Sequence, residues 1–240
     1  MSNVYFIRHG QAGTREAYDS LSELGRRQAR LLGAHLASQG VGFAAAYAGG
    51  LARQRQTAEE VARAYADAGI PFPEVTRDEG WDEFDFHGIY RELAPLLCAD
   101  DEEFRREFEE VSGLVSAGGP EAEIHRQWRP SDAKVLEAWA GGRYPHAGET
   151  WERFVARVSA CRLAAAEGAA RENVAVFTSA TPAAVWAARA LDISDGRIRR
   201  LASVLENTSY TVLQLRPGDA LLLTFNAVPH LNRPELRTRR

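Results

Sequence analysis

With 240 residues, 45% of them hydrophobic and 26% charged, the chain has enough material for one good core. A net charge of -4 excludes the global basic field that a nucleic-acid partner would demand. No apolar run approaches membrane-spanning length, so neither nucleic acid nor membrane is an expected partner. The length allows one or two domains, and a single domain spanning 1–240 with a helical insertion at 86–145 is the expectation. Cys98 and Cys161 lack metal or redox spacing, which fits a reducing compartment and two buried thiols. With no signal peptide ahead of the first strand, the expected location is cytoplasmic.

In chain order, Val4 to Ile7 is a short apolar strand that runs straight into Arg8-His9-Gly10. A glycine there would allow a sharp turn and leave the preceding side chains facing a crevice at the carboxyl end of the strand. On these residues alone, the tripeptide is either an ordinary strand end or a histidine nucleophile beside an anion-holding guanidinium. After residues 11–19, Ser20-Leu21-Ser22-Glu23 has a capping-box pattern, and Leu21, Leu24, Leu32 and Leu36 recur at helical spacing until Gly40. Phe43 to Tyr47 reads as a buried strand broken by Gly49-Gly50, followed by a helix with Ala58, Val61, Ala62 and Tyr65 on one face. This alternation argues for an α/β fold with parallel strands. A further short strand is expected near Glu74 to Thr76.

The insertion reads as charged helical pieces broken by Gly118-Gly119-Pro120 and Gly141-Gly142, either a lid over the site or a peripheral decoration. Trp151, Phe154, Val155, Val158 and Cys161 mark an amphipathic helix. Val174 to Phe177 is a strand, after which Thr181 can cap a helix whose first position is Pro182. Tyr210 to Leu215 and Ala220 to Phe225 read as a closing hairpin, and Arg233, Arg237, Arg239 and Arg240 as a solvated basic end.

Two further groups carry possible chemistry. Arg53 stands in the first turn of the second helix, where backbone amides, the helix dipole and a guanidinium could converge on one anion, or it is a plain surface arginine. Glu83 lies in Trp81-Asp82-Glu83-Phe84-Asp85-Phe86-His87-Gly88, where an acid beside aromatic rings could protonate a leaving oxygen; a solvated loop acid is the alternative. Asp82, Asp85 and His87 lack regular metal-ligand spacing, so no metal or other cofactor is expected.

Taken together, six segments resemble the histidine phosphatase superfamily, also called the phosphoglycerate mutase-like family. They are Arg8-His9-Gly10, Leu21-Ser22-Glu23-Leu24-Gly25 with Gln28-Ala29, and Leu51-Ala52-Arg53-Gln54-Arg55-Gln56-Thr57-Ala58-Glu59. Glu83 ahead of His87-Gly88, Gly148-Glu149-Thr150, and Leu205-Glu206-Asn207-Thr208-Ser209-Tyr210 complete the set. The resemblance implies a three-layer α/β/α sandwich with a mostly parallel central sheet. It further implies a metal-independent phosphomonoesterase in which His9 accepts the phosphoryl group and Glu83 serves as general acid and base. Arg8 and Arg53 would hold the phosphate of a small phosphorylated metabolite or inorganic phosphate, with Gln11, Ser179 and Ala180 as further contacts. One departure stands out: where the family has a second histidine after the strand at Val174 to Phe177, this chain has Ser179-Ala180. That leaves an alternative, a phospho-ligand-binding or regulatory protein that kept the pocket and lost turnover.

Overall fold

The computed structural model describes residues 2–13, 19–116 (backbone alone over 111–116), 130–161, 172–216 and 218–239. Its strands are β1 (Ser2–Arg8), β2 (Ala45–Ala48), β3 (Val75–Arg77), β4 (Asn173–Thr178), β5 (Tyr210–Arg216) and β6 (Asp219–Ala227). The helices are α1 (Glu23–Ser38), α2 (Ala52–Asp67), α3 (Phe86–Asp100), α4 (Glu102–Ser116), α5 (Pro130–Ala140), α6 (Trp151–Ala160), α7 (Ala180–Ala190) and α8 (Ile198–Val204). Contacts gather the chain into two units, Met1–Glu83 with Arg157–Arg240, and Phe84–Ala156.

The first unit holds one sheet of order β3-β2-β4-β1-β5-β6. The first four strands pair in parallel, whereas β5 and β6 join antiparallel at one edge, giving the mostly parallel sheet expected. β1 shows how the layers arise: its side chains alternate between two faces of the sheet. Ile7 and Tyr5 pack with Leu32 and Leu36 of α1 and Val61 and Tyr65 of α2. Phe6, on the opposite face, stacks on Trp186 of α7 at 5.5 Å between ring centroids. β4, covered on both faces, is a continuous buried run from Val174 to Thr178, as a central parallel strand should be. Helices on both faces of the sheet make the α/β/α sandwich. Buried Glu60 of α2 receives Arg26 and Arg30 of α1 at 3.3 and 2.6 Å and ties the two helices together.

Two helix starts differ from expectation. The cap of α1 is Ser22, whose hydroxyl accepts from the Gly25 amide at 3.0 Å; Ser20 instead turns the chain, its carbonyl accepting from Gly13. α7 begins two residues early, with Ser179 at the cap position and Pro182 at the third helical position, where a missing N–H is still harmless.

The second unit is helical and slightly wider than 86–145, with α3, α4, α5 and the first part of α6. Its centre is aromatic: Trp139 meets Phe84 at 4.7 Å and Trp151 at 5.4 Å, and its indole donates to the Glu149 carbonyl at 2.9 Å. Gly141 and Gly142 end α5, while the expected break at Gly118-Gly119-Pro120 lies outside the described residues. Among the described residues no helix is long and apolar enough to cross a membrane. Both cysteines are unpaired and partly rather than fully buried, and burial pushes the Cys161 thiol up to about 12.

Candidate active site

β1 and β4 are parallel neighbours with Arg8 opposite Thr178, so His9 and Ser179 leave the carboxyl ends of adjacent strands side by side. The main chain there is held from several directions. The His9 amide donates to the Thr178 carbonyl at 2.9 Å, and the His9 carbonyl accepts from Asn207 Nδ2 at 3.1 Å and the Thr208 amide at 3.2 Å. The Gly10 amide donates to Thr57 Oγ1 at 3.0 Å, and that hydroxyl donates to the Arg53 carbonyl at 2.7 Å. A Cβ on Gly10 would stand 2.5 Å from the Gly25 carbonyl oxygen, and one on Gly25 would overlap the Gln11 carbonyl. The glycine after His9 is therefore required by close approach to the first turn of α1, and not by the sharp turn expected, since its φ is not positive.

His9 is buried. Its Nδ1 lies 2.7 Å from the Gly10 carbonyl, an acceptor, so Nδ1 carries the proton and Nε2 carries a lone pair. That lone pair accepts from Arg53 Nε at 3.2 Å. Burial first, then the charges of Arg53 and Arg8, hold the imidazole well below its ordinary pKa, against the weaker opposing pull of the Gly10 carbonyl. The ring is neutral at physiological pH, with its nucleophilic nitrogen fixed in direction.

Arg53 sits in the first turn of α2, as expected, and its Nη1 donates to Asp19 Oδ1 at 3.0 Å. Amides at this helix start do converge on anions, but these are carboxylates of the chain itself. Asp19 Oδ2 accepts from the Ala52 amide at 3.0 Å, and Asp82 Oδ1 accepts from Gly50 and Leu51 at 2.6 and 3.2 Å. Arg8 Nη1 donates to the Leu205 carbonyl and Nη2 to the Arg239 carbonyl at 2.7 Å.

Glu83 reaches the opposite wall, where its Oε2 accepts from the Thr181 amide at 3.1 Å in the first turn of α7. Ser179 is buried and Ala180 is the first helical residue after it. Because Glu83 occupies the Thr181 amide and Pro182 has none, the start of α7 offers fewer amides to an anion than expected. Gln11 Oε1 accepts from the Ser22 hydroxyl at 2.8 Å. Asp82 and Asp85 each serve a helix start, Asp85 through the Gly88 amide at 3.0 Å. Among the described residues no group of three or more His, Cys, Asp or Glu is arranged to hold a metal ion.

Several residues around the site carried no role in the sequence reading. Thr57 is one turn beyond Arg53, a spacing that could have flagged it; Asp19 gave no signal. The end of the chain also reaches the site. The side chains of Arg233, Arg237 and Arg239 are exposed as expected, but its main chain is docked. Gln28 Nε2 donates to the Leu236 carbonyl at 2.7 Å, and the Asn207 amide donates to the Thr238 carbonyl at 2.8 Å.

Thr208 has a φ of +56°, costly for a β-branched residue. Its hydroxyl donates to the Asn207 carbonyl at 2.7 Å and pairs with His230 Nε2 at 2.9 Å. Burial and nearby His35 lower the His230 pKa to about 3. The unfolded chain, with an ordinary histidine, takes up that proton near pH 6.5, so acidification from 6.5 toward 3 favours unfolding. We expect wild type to lose up to about 1.4 kcal/mol per pH unit through this group, and His230→Gln to show a shallower loss between pH 6 and 4 in denaturant titrations. Equal slopes would remove His230 from the account.

The model of the histidine phosphatase superfamily (branch 1) matches residues 4–95 and 100–228. No curated protein sequence matches the chain. Among solved structures it is similar to phosphoserine phosphatase from Entamoeba histolytica in complex with 3-phosphoglyceric acid, at 18% identity and a TM-score of 0.58, covering 96% of this chain and 100% of that one. It is likewise similar to phosphoglycerate mutase from Bacillus anthracis, at 18% identity and a TM-score of 0.59, covering 96% and 95%. Similarity to mycobacterial glucosyl-3-phosphoglycerate phosphatase is at 19% identity and a TM-score of 0.58, covering 95% and 99%. At such identities these structures speak for a shared fold, whereas the family match runs from the first strand to the last, and on it the chain belongs to the histidine phosphatase superfamily, branch 1.

Proposed function

We propose that the chain is a metal-independent phosphomonoesterase that works through a phosphohistidine on His9 and acts on a small phosphorylated metabolite. The observation that carries this reading is the neutral His9 ring, whose Nε2 lone pair points at the Arg53 guanidinium. A phosphoryl group drawn to Arg53 and Arg8 arrives at the nucleophile. In the first step Nε2 bonds to phosphorus while the ester P–O bond breaks, and protonated Glu83 gives its proton to the departing alcohol oxygen. The Gly10 carbonyl, on the Nδ1 proton, offsets the positive charge that grows on the ring. In the second step water attacks phosphorus, Glu83 takes its proton, and the P–N electron pair returns to Nε2. Arginines stabilise the charge that develops on the equatorial oxygens. The Gln11 amide, the Ser179 hydroxyl and the main chain at Ala180 complete the cradle. The phosphoserine and phosphoglycerate named for structurally similar proteins support a small substrate.

A second reading is a phospho-ligand-binding protein, favoured by one observation: Ser179 supplies no positive charge where the resemblance calls for an imidazole. Steady phosphate release from a chromogenic phosphomonoester, with phosphate trapped on His9 after alkaline quenching, is the expected result. Labelling of His9 without release would indicate a stalled enzyme. Phosphate-dependent stabilisation without labelling would replace the phosphatase reading by the binding one.

A further inference from the structure

Ser179 is a good capping residue that does no capping. A helix-capping serine accepts from the second or third helical amide, but here the Thr181 amide belongs to Glu83 and Pro182 has no N–H. Among the described residues the Ser179 hydroxyl makes no bond to the helix it precedes. It receives a hydrogen bond from Gln54 Nε2 at 2.9 Å instead.

Gln54 is fully buried one residue after Arg53. The orientation of its amide follows from its other neighbour. Nε2 lies 3.3 Å from the Trp81 carbonyl, which can only accept, so the NH2 end must face that carbonyl and Ser179 together. The Thr178 hydroxyl donates to the same carbonyl at 2.6 Å and strengthens that polarity. Gln54 Oε1, buried and without a partner among the described residues, is left toward Gly49, where a Cβ would overlap it. A buried amide that leaves its own oxygen unsatisfied in order to donate to a serine is costly for a core.

We propose that Gln54 is a positioning residue that fixes the Ser179 hydroxyl as a hydrogen-bond donor to the transferring phosphoryl group. With the oxygen lone pair taken by Gln54, the hydroxyl proton is directed away from α2 and is available to the anion between His9 and Ser179. The pair supplies a neutral, preorganised donor at the end of β4, the place where the resemblance calls for a second histidine. The inference rests on the phosphohistidine reading and deepens it.

The test is a double-mutant cycle with Ser179→Ala, Gln54→Leu and both changes together, each checked by melting temperature, with Gln54→Met as a second variant should leucine fail to fold. Each single change is expected to lower kcat about 100-fold with little change in KM, and the double variant to be no more than about twofold worse than either. Orthovanadate affinity, measured on the same proteins, is expected to weaken in each single variant and no further in the double. Additive losses, or wild-type kcat and vanadate affinity in Gln54→Leu, would overturn the proposal. If wild type bound vanadate but released no phosphate, the phosphatase reading would fail on its own, and the vanadate cycle would still decide for or against Gln54.

Discussion

Replacing His9 with alanine should eliminate phosphate release, with a fall in kcat of at least about 10,000-fold, because the proposed covalent step runs through the His9 ring alone. The contacts that His9 makes through its main chain, to Thr178, Asn207 and Thr208, survive the substitution. The fold around Gly10 should therefore persist, and inactivity in a protein that still melts cooperatively would belong to the missing ring. Wild-type pH dependence adds a second readout. A histidine of ordinary pKa would lose its lone pair as the pH falls through 6.5; His9, held well below that value by burial, Arg53 and Arg8, keeps it. The rate should accordingly show no loss near pH 6.5 attributable to this ring. Turnover by His9→Ala at even a hundredth of the wild-type rate would refute the assignment.

Much of this was legible in the sequence because the signals are local. The short apolar run of β1, the glycine breaks after β2, and apolar spacing in α1 and α2 each report the environment of one element, and together they argue for parallel pairing. Arg8, His9 and Arg53 were readable for the same reason, since each stands at the junction of a strand or a helix. Partnerships between distant segments were less legible. Whether the first-turn amides of α2 are open to a ligand depends on Asp19 and Asp82 arriving from elsewhere, and neither spacing nor residue type announces it. The helix-cap errors at Ser20 and Thr181 have a common cause. Two capping-competent residues stand near each helix start, and tertiary contacts choose between them: the Leu21 strand bridge to Ala12 in one case and Glu83 on the Thr181 amide in the other. The docked chain end was missed because most of its bonds are made by main-chain carbonyls, to which side-chain composition is blind, with the Thr238 hydroxyl adding others.

Arg53→Lys should be nearly as damaging as Arg53→Ala, each lowering kcat/KM about 100- to 1000-fold, although lysine keeps the charge. Arg53 uses two edges of one rigid plane: Nε addresses the His9 lone pair at 3.2 Å, while Nη1 addresses Asp19 at 3.0 Å. Asp19 also holds the Ala52 amide of the same helix turn, so the guanidinium is fixed at both ends before any phosphate arrives. An ammonium on a flexible stem can satisfy one of these directions at a time. The two variants nevertheless separate charge from geometry. Arg53 charge is the second largest cause of the lowered His9 pKa, after burial. Alanine should therefore let that pKa rise and move the acid limb of the rate profile upward, whereas lysine should keep the limb low and still fail to restore the rate. Recovery of near-wild-type turnover by Arg53→Lys would mean that net charge suffices at this position, and the directional role assigned to the Nε–His9 contact would fall.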